Sequence, residues 1–388
     1  MGKTTLILGA GIGGVVAAKS LRKKLKREHQ VILVDKDTRH LFQPSLLWVM
    51  LNQRQPHQLT RDLRAFNRKG IRYVRGEVTA IEPDKRKVKI STREFSYDYL
   101  IVALGAEADT EAIPGLSAAY NIHDLDSMVK LRNSLRDFSG GKVVIVVSRI
   151  PFKCPAAPLE TSFLLNNLFK TKGIRDKVSL DIYTAEPRPM PVAGPAVGDA
   201  INELLAKEQI GYHPKLSLAS VNAQKKELTF ESGEKVSFDL LIAVPPQVSP
   251  KVIRESKLAG DGGWIPVNRT TLKTKYDDIF AIGDVAAIKL PGQYQPDSPL
   301  MLPKAGVFAH SQADVVAHNI GVEIKHQGSL REFRGEGSCF VELGEGKAAY
   351  AKGQFYATPH PLVNLKAPAK VWRWAKVFTE KYWFWRWF

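Results

Sequence analysis

Two cysteines, Cys154 and Cys339, are the residues of this 388-residue chain best suited to redox chemistry. Because there are only two, they exclude a disulfide framework and an all-cysteine metal cluster, and they leave either inert core thiols or one redox pair. Cys154 lies in a loop, residues 146–158, with three prolines and no glycine. The neighbouring Lys153 is expected to favour the Cys154 thiolate electrostatically.

The position of this loop is as informative as its composition. It follows a strand-like run at 142–147 and precedes a helix-like run that begins at Leu159. In a βαβ unit, glycines at this place let the backbone approach a pyrophosphate at a helix N-terminus. Proline has no N–H group to offer a phosphate. The sequence therefore predicts that a cysteine site has replaced a nucleotide site here.

A second motif with recognisable chemistry lies at the N-terminus. A buried strand from Thr4 runs into Gly9-x-Gly11-x-x-Gly14, which opens a helix. The next strand ends in Asp35, at the distance expected for an acid that binds the ribose hydroxyls. Placed between strand and helix, this pattern predicts a dinucleotide site.

The elements that must position these motifs alternate between strands and helices, which is typical of an α/β protein with parallel sheets. We predict two Rossmann-like dinucleotide-binding domains. The first is discontinuous and comprises residues 1–107 and 262–325, and the second comprises residues 108–261. A C-terminal region, residues 326–388, includes a glycine-punctuated, strand-like segment that reaches Pro361.

Composition limits the partners. The formal charge of +17 predicts an anionic partner surface, either lipid headgroups or nucleic acid. No window approaches the roughly 20 apolar residues that a spanning helix needs. The first strand begins at Thr4, so no cleavable leader is expected.

The final segment, residues 371–388, is basic and aromatic. It contains five of the seven tryptophans, namely Trp372, Trp374, Trp383, Trp385 and Trp387. Interleaved with them are the basic residues Arg373, Lys376, Lys381 and Arg386. Tryptophan prefers the headgroup level of a bilayer, and basic side chains can reach past it to water. The segment therefore predicts a helix that lies in one leaflet without spanning it.

Other interpretations of this segment remain open. A dimer interface or a helix packed on the protein's own core would also use tryptophan and arginine. Stacking aromatics with arginines are also found in proteins that bind single-stranded nucleic acid. No recognisable nucleic-acid module accompanies the segment, so no nucleic-acid partner is expected. A homo-oligomer is compatible with the sequence.

Two further segments resemble flavoproteins with two dinucleotide domains. Thr274-x5-Phe280-Ala-Ile-Gly-Asp284 resembles their second FAD motif, and the segment 97–106 resembles their strand that crosses to the second domain. The resemblance implies FAD as the cofactor. The residues expected to contact it are Gly9, Gly11, Gly14, Asp35, Val78, Gly105, Gly283, Asp284 and Lys304.

The cysteine motifs extend the resemblance to sulfide:quinone oxidoreductase and to the flavoprotein of flavocytochrome c sulfide dehydrogenase. Segments 42–45 and 302–306 also resemble that family. The resemblance implies that Cys154 and Cys339 meet on one face of the flavin as a redox-active pair. It places Lys304 at the flavin pyrimidine edge and makes the tail a monotopic membrane anchor.

The activity implied is oxidation of sulfide to sulfur or polysulfide, with electrons passing through FAD to a membrane quinone. Glu160 begins a helix after Cys154 and is a candidate for moving protons, although an acid in a first helical turn also complements the helix dipole. The candidates for contacting quinone are Phe340, Phe355 and Tyr356. We expect no metal site, and a peripheral location on the cytoplasmic face of the membrane.

Three alternatives share parts of this pattern. A type II NADH:quinone oxidoreductase needs a glycine-rich second loop and an acid after the next strand, and only the acid, Glu186, is present. A sulfide dehydrogenase would use a cytochrome acceptor outside the cytoplasm. A membrane-bound redox sensor would use the cysteines as a switch. Some members of the resembled family have a third cysteine, and its absence leaves the sulfur acceptor open.

Overall fold

The predicted alternation of strands and helices is confirmed by the computed structural model, which describes residues 2–296 and 298–388. The α-helices are α1 (Ile12–Lys24), α2 (Leu47–Met50), α3 (Leu125–Asp137), α4 (Ala157–Thr171), α5 (Pro195–Lys207), α6 (Lys251–Arg254), α7 (Gly306–Lys325) and α8 (Lys370–Trp387).

The strands follow in chain order. They are β1 (Thr4–Leu8), β2 (Gln30–Asp35), β3 (Arg39–Leu41), β4 (Thr60–Asp62), β5 (Arg72–Arg75), β6 (Val78–Glu82), β7 (Lys87–Ile90), β8 (Arg93–Ser96), β9 (Tyr99–Val102), β10 (Glu107–Ala108), β11 (Tyr120–Asn121), β12 (Gly141–Val147), β13 (Val178–Thr184), β14 (Gly211–His213), β15 (Leu218–Asn222), β16 (Glu227–Phe230), β17 (Lys235–Ser237), β18 (Leu240–Val244), β19 (Gln247–Val248), β20 (Ile265–Pro266), β21 (Ile279–Ala281), β22 (Ala286–Ala287), β23 (Glu336–Gly344), β24 (Lys347–Gln354) and β25 (Leu362–Ala369).

The first sheet is parallel, in the order β21–β9–β1–β2–β5. Strands β1, β2 and β9 are short apolar runs without alternation, which indicates that both faces of the sheet are covered there. The chain leaves the carboxyl ends of β1, β2, β9 and β21 through the glycine motif, Asp35, Gly105 and Asp284 respectively. Because these four strands are neighbours, the predicted nucleotide-binding residues converge at one edge of the sheet.

The second sheet repeats this design. It is also parallel, with the order β11–β18–β12–β13–β14. Each sheet is accompanied by a small antiparallel sheet of three strands, β6–β7–β8 in the first case and β15–β16–β17 in the second. The cysteine loop follows the central strand β12, as the glycine loop follows the central strand β1. The two Rossmann-like units therefore present corresponding loops with different chemistry.

A third, antiparallel sheet has the order β23–β24–β25. Strand β23, which carries Cys339, packs on α4, and α8 packs on β24. The edge strand β25 was not expected, because the strand-like segment was predicted to end near Pro361. Val363 and Leu365 pack on the core while Leu362 and Asn364 are exposed, which is typical of a half-covered strand, and Pro368 is tolerated because the strand is at the edge.

Helix α8 has two unlike faces. Residues Arg373, Lys376 and Glu380 face the protein, although they are charged. The opposite face exposes large apolar side chains, among them Trp374 and Trp385, which are 73% and 78% exposed. The same face carries Val371, Phe378 and Tyr382. Within the described residues, no helix combines the length and apolarity required to cross a bilayer.

The last turns of α8 pack on the first Rossmann-like unit. Trp383 and Trp387 are each only 5% exposed and join its apolar core. The His40 ring lies 5.1 Å from the ring of Phe388, centroid to centroid, and its Nδ1 is 2.8 Å from the carbonyl oxygen of Ala10 in the glycine loop. The prediction that all five tail tryptophans face a membrane is therefore wrong for Trp383 and Trp387. Trp372 is half-buried and stacks on Tyr350.

This difference predicts unequal effects of two tryptophan substitutions in one helical turn. We expect Trp387→Ala to lower the free energy of unfolding by about 3–5 kcal/mol, because it empties a packed core position. Trp385→Ala should change it by less than about 0.5 kcal/mol, because the side chain contacts mainly solvent. Denaturant titration of both variants measures this, and equal losses would contradict the assigned faces of α8.

Candidate active site

The cysteine loop is held against the first Rossmann-like unit. The backbone N–H of Cys154 donates to the carbonyl oxygen of Lys304 at 2.8 Å, and the N–H of Ala157 donates to the carbonyl oxygen of Cys154 at 2.9 Å. Cys154 has a φ of +56°, a left-handed conformation that costs a non-glycine residue about 1–2 kcal/mol. The two hydrogen bonds offset that cost and fix the thiol at the start of α4.

The structure brings the second cysteine to the same place. Cys339 lies on β23, which packs on α4, and its side chain packs against a small apolar cluster that includes Ala156, two residues after Cys154. Both are half-buried and free, and the described residues contain no disulfide between them. Burial raises the pKa of Cys154 to about 12, with the charge of Glu160 adding to the effect and Lys376 opposing it. The pKa of Cys339 is also raised, chiefly by burial.

Beside the thiols, Glu160 and Lys376 form a buried ion pair. The Lys376 ammonium group donates to Glu160 Oε1 at 2.7 Å and lies 3.5 Å from Glu342 Oε2. The backbone N–H of Glu342 also donates to Glu160 Oε1, at 2.9 Å. Burial alone would lower the pKa of Lys376, but the two carboxylates outweigh it and raise that pKa. The pair therefore joins α8, α4 and β23 beside the cysteines.

The pair belongs to a larger charge cluster around the buried ring of Trp48. Trp48 Nε1 donates to Glu342 Oε2 at 2.6 Å. Three cations lie over its ring, at 4.7, 4.3 and 5.6 Å from the centroid: Arg54, Arg373 and Lys376. Three buried carboxylates accompany them: Glu160, Glu342 and Glu380. We call these seven residues the Trp48 cluster. Its formal charges balance, as burial of charged groups requires.

The glycine motif borders open space. A Cβ atom at Gly14 would lie 1.8 Å from the carbonyl oxygen of Gly9, so the start of α1 must approach the loop backbone closely. At Gly11 and Gly105, by contrast, no heavy atom of the described residues lies within 4 Å of a built Cβ. The two positions therefore face room that a bound ligand can occupy.

Asp35 and Val78 take different places around this space. The Asp35 carboxylate accepts hydrogen bonds from the N–H groups of Ala10, at 2.6 Å, and Asp37, at 2.9 Å. It is therefore tied to the glycine loop. Val78 begins β6, and its side chain is buried in the core of the first unit.

A small cavity at the end of β21 contains the other predicted cofactor contacts. Its lining includes Gly283, Asp284, Lys304, Phe308 and Gln312. The Lys304 ammonium group donates to the carbonyl oxygen of Asp284 at 2.5 Å and lies 3.5 Å from the centroid of the Trp264 ring.

Burial and neighbouring charges act in opposite directions on the pKa values of Lys304 and Asp284 in this cavity. Burial lowers the pKa of Lys304 to about 8, although the carboxylate of Asp284 opposes the shift. Burial raises the pKa of Asp284, while Lys153 and Lys304 hold it down. Because Cys154 is hydrogen-bonded to Lys304, this cavity and the thiols belong to one site.

The three predicted quinone contacts do not form one slot. Phe340 packs against Tyr350 across the strand pair β23–β24, with ring centroids 5.3 Å apart. Phe355 lies edge-on to Phe308 at 5.1 Å, next to the cavity. The Tyr356 hydroxyl donates to the carbonyl oxygen of Arg269 at 2.7 Å. They separate because Phe340 is in the middle of β23, whereas Phe355 and Tyr356 follow the end of β24.

The sequence did not predict that Trp48 and Glu342 belong to the site or that the side chain of Lys376 points into the protein. Glu160 and Lys376 are 216 residues apart, so no local motif joins them. One signal was available, because Arg373, Lys376 and Glu380 recur at the same helical spacing as Trp383 and Trp387 and so share their face. The sequence assigned no role to His123. Its Nε2 is buried without a hydrogen-bond partner in the described residues, and burial lowers its pKa to about 3.

Comparison with known proteins agrees with this geometry. The chain is 26% identical over 368 residues to the mitochondrial sulfide:quinone oxidoreductase of Mus musculus, covering 91% of this chain and 78% of the relative. It is 25% identical to a type II NADH:quinone oxidoreductase of Staphylococcus saprophyticus, covering 82% of each. The crystal structure of the sulfide:quinone oxidoreductase from Aquifex aeolicus superposes with a TM-score of 0.89 at 23% identity, covering 99% of this chain and 91% of that one.

The family assignment rests on a broader match. The family model for pyridine nucleotide-disulphide oxidoreductases matches residues 3–148 and 159–305. The gap between the two matched ranges, residues 149–158, contains most of the cysteine loop, including Cys154 and the three prolines. The predicted fold and the predicted resemblance are confirmed by these comparisons. Since the match covers well over half of its residues, the chain belongs to the pyridine nucleotide-disulphide oxidoreductase family.

Proposed function

We propose that this protein oxidises sulfide through Cys154 and Cys339 and transfers the electrons through FAD to a membrane quinone. One observation carries the proposal. The cysteine loop occupies the nucleotide-loop position of the second Rossmann-like unit, and the Cys154 N–H is hydrogen-bonded to Lys304 in the cavity of the first. Relatives from mouse and Aquifex aeolicus with this fold are named for the same reaction.

FAD is the cofactor that the family and the fold imply, and the residues present fit it. Gly11 and Gly105 leave room beside the strand ends, and the Asp284 carboxylate accepts no hydrogen bond from the described residues, so it is free to bind a hydroxyl. We assign Gly9, Gly11, Gly14 and Asp35 to the adenosine and phosphate end, with Val78 and Gly105 nearby. Gly283, Asp284 and Lys304 would hold the flavin end. When bound, FAD accepts two electrons and releases them again.

The cysteines would alternate between disulfide and open forms. Hydrosulfide attacks the Cys154–Cys339 disulfide, so one S–S bond forms as another breaks, giving a persulfide on one cysteine and a thiolate on the other. Closing the disulfide again releases sulfane sulfur and two electrons. The balance is HS⁻ + H⁺ + quinone giving S⁰ + quinol. The ammonium group of Lys304 would stabilise negative charge at the flavin edge, because it lies in the same cavity.

Glu160 is placed to exchange the protons of this reaction. It is buried beside both thiols, and burial raises its pKa, although the ammonium group of Lys376 opposes the shift. Lys376 donates to it directly. We therefore assign Glu160, as a member of the Trp48 cluster, to proton exchange with the thiols.

The exposed face of α8 suits a bilayer surface. Val371, Trp374, Phe378, Tyr382 and Trp385 recur along one side of the helix and are all exposed. A stripe of this kind, on a protein with a charge of +17, favours an anionic membrane. A quinone would approach from the lipid beneath α8, where Phe340, Tyr350 and Trp372 form an aromatic ladder from β23 to α8. We place the protein on the cytoplasmic face.

The predicted division of the chain fits these roles. Residues 1–107 with 262–325 would bind FAD, residues 108–261 would supply Cys154, and residues 326–388 would supply Cys339, the quinone face and the membrane anchor. Phe355, next to Phe308, and Tyr356 remain quinone candidates at the cavity end of this region.

A type II NADH:quinone oxidoreductase is the second candidate. Glu186 favours it, because it lies just beyond β13, where an acid would bind the ribose of a nicotinamide dinucleotide. Burial raises the pKa of Glu186 to about 8, so at neutral pH it would be largely protonated. The three prolines of the preceding loop offer no N–H group to a pyrophosphate. The sulfide reaction therefore fits better.

The decisive experiment is anaerobic reduction of the flavin in the purified holoprotein. We expect added sulfide to bleach the visible flavin absorbance and a soluble quinone to restore it. Cys154→Ser and Cys339→Ser should each slow the bleaching at least about a hundredfold, because neither can form the disulfide that sulfide attacks. Bleaching by NADH, undiminished in both variants, would establish the second candidate instead.

Flavin retention tests the assignment of the glycine loop. Gly11→Leu should fold normally but lose most of its flavin, because the new side chain enters the space beside the loop. The absorbance ratio of flavin to protein after gel filtration measures this. Gly321→Ala, where a new Cβ meets only ordinary contacts with Lys24, is the control. Full flavin content in Gly11→Leu would mean that the cofactor lies elsewhere.

Vesicle binding tests the membrane face. Replacing Trp374 and Trp385 together by serine should weaken binding to vesicles with anionic lipid about tenfold or more, because two exposed indoles are lost. Leu330→Ser removes an exposed apolar side chain outside α8 and should have no effect. Sedimentation with vesicles measures the bound fraction. Unchanged binding of the double variant would contradict the membrane assignment of α8.

A further inference from the structure

The side chain of Lys376 does not point in the direction that is usual for a lysine on an interfacial helix. Lysine side chains on such helices extend towards water. Lys376 instead points into the protein, its side chain is only 11% exposed, and its ammonium group contacts Glu160 and Glu342. Lys381, just over one turn further along α8, is exposed. The sequence had placed both lysines in one basic, lipid-facing pattern.

The two carboxylates that bind Lys376 come from the two cysteine-bearing elements. Glu160 lies in the first turn of α4, directly after the loop of Cys154. Glu342 lies on β23, close to Cys339. Lys376 therefore bridges the segments that hold the two thiols. Its charge lowers the pKa of both cysteines, and so opposes burial and the charge of Glu160.

We propose that α8 contributes to the thiol site, with Lys376 as a positioning residue that controls the reactivity of Cys154 and Cys339. The inference deepens the proposed function, in that it assigns to the membrane-facing helix a part in the sulfur chemistry. It would hold for any reaction that uses these thiols.

The charges around Lys376 support this assignment. From α4 it faces Glu160, from β23 it faces Glu342, and from α2 it faces the ring of Trp48. Arg373, on its own helix, contacts Glu342 at 2.5 Å. Arg54 binds the Glu380 carboxylate at 2.9 Å. Asp284 also acts on Cys154, but Glu160 and Lys376 are the charged pair that acts on both thiols, in opposite directions.

Removing either member of the pair should therefore have opposite effects on the thiols. Lys376→Gln takes away the cation that favours the thiolates, so ionisation becomes harder. Glu160→Gln takes away the anion that disfavours them, so ionisation becomes easier. A merely structural role would act differently, because loosening the site would expose the half-buried cysteines further in both variants and speed their reaction.

The experiment measures alkylation of the reduced holoprotein by iodoacetamide between pH 7 and 9.5, followed by mass spectrometry of each cysteine. Since the thiolate is the reacting form, Lys376→Gln should slow alkylation of both cysteines about tenfold at a given pH, which corresponds to a change of one in thiol pKa. Glu160→Gln should accelerate it. Lys376→Arg should restore most of the rate. Lys381→Gln, the matched control on the exposed face, should match the parent protein.

Equal or faster alkylation in Lys376→Gln would overturn the proposal. If that variant does not fold, the double variant Lys376→Gln with Glu160→Gln removes both charges of the pair together. Neither partner is then left charged and unpaired inside the protein. The double variant should react more slowly than Glu160→Gln alone, and equal rates would again overturn the proposal. The assay uses neither sulfide nor quinone. Failure of sulfide to bleach the flavin therefore refutes the proposed function separately, whatever the alkylation rates are.

Discussion

The need to pair charges inside the protein governs how helix α8 and strand β23 dock on the rest of this structure. Three carboxylates and three cations of the Trp48 cluster are removed from water, which is tolerable only when each has a partner. Those partners come from the loop after α2, from α4, from β23 and from α8, which are far apart in sequence. Satisfying them forces these elements together. Because α4 and β23 carry the cysteine motifs, the same requirement that docks the tail also brings Cys154 and Cys339 into one site.

The two Rossmann-like units show how one scaffold supports two chemistries. Four strands follow the same order in both sheets, β9–β1–β2–β5 and β18–β12–β13–β14, and both sheets place a loop at the carboxyl end of the central strand. In the first unit glycines line open space, as a dinucleotide requires. In the second unit prolines and a left-handed Cys154 form a stiff loop that binds the backbone of Lys304. The second unit thus keeps the topology of nucleotide binding and delivers a thiol to the cavity of the first.

The sequence predicted the fold and the local motifs well. Gly9, Gly11, Gly14 and Asp284 could be placed because strand, loop and helix follow one another within a short stretch. Features that depend on distant pairing could not be placed. The spacing of the tail residues fits two opposite helix faces equally, so Trp383 and Trp387 were predicted on the membrane-facing side of α8 instead of the side that packs on the protein. The pairing of β23 with β24, which also could not be predicted, separates Phe340 from Phe355. The roles of the named site residues remain predictions.

The two faces of α8 would fix how the protein is oriented on a bilayer. Its inner face is locked by six charges that could not be left unpaired in hydrocarbon, so the helix cannot swing away from the body and sink into lipid alone. A protein docked through the outer face would therefore sit at one height and one tilt. A helix is about 10 Å across, so the sulfur chemistry would take place at a constant depth above the acyl chains. A quinone diffusing in the plane of the membrane would then reach the reduced site by a search in two dimensions instead of three.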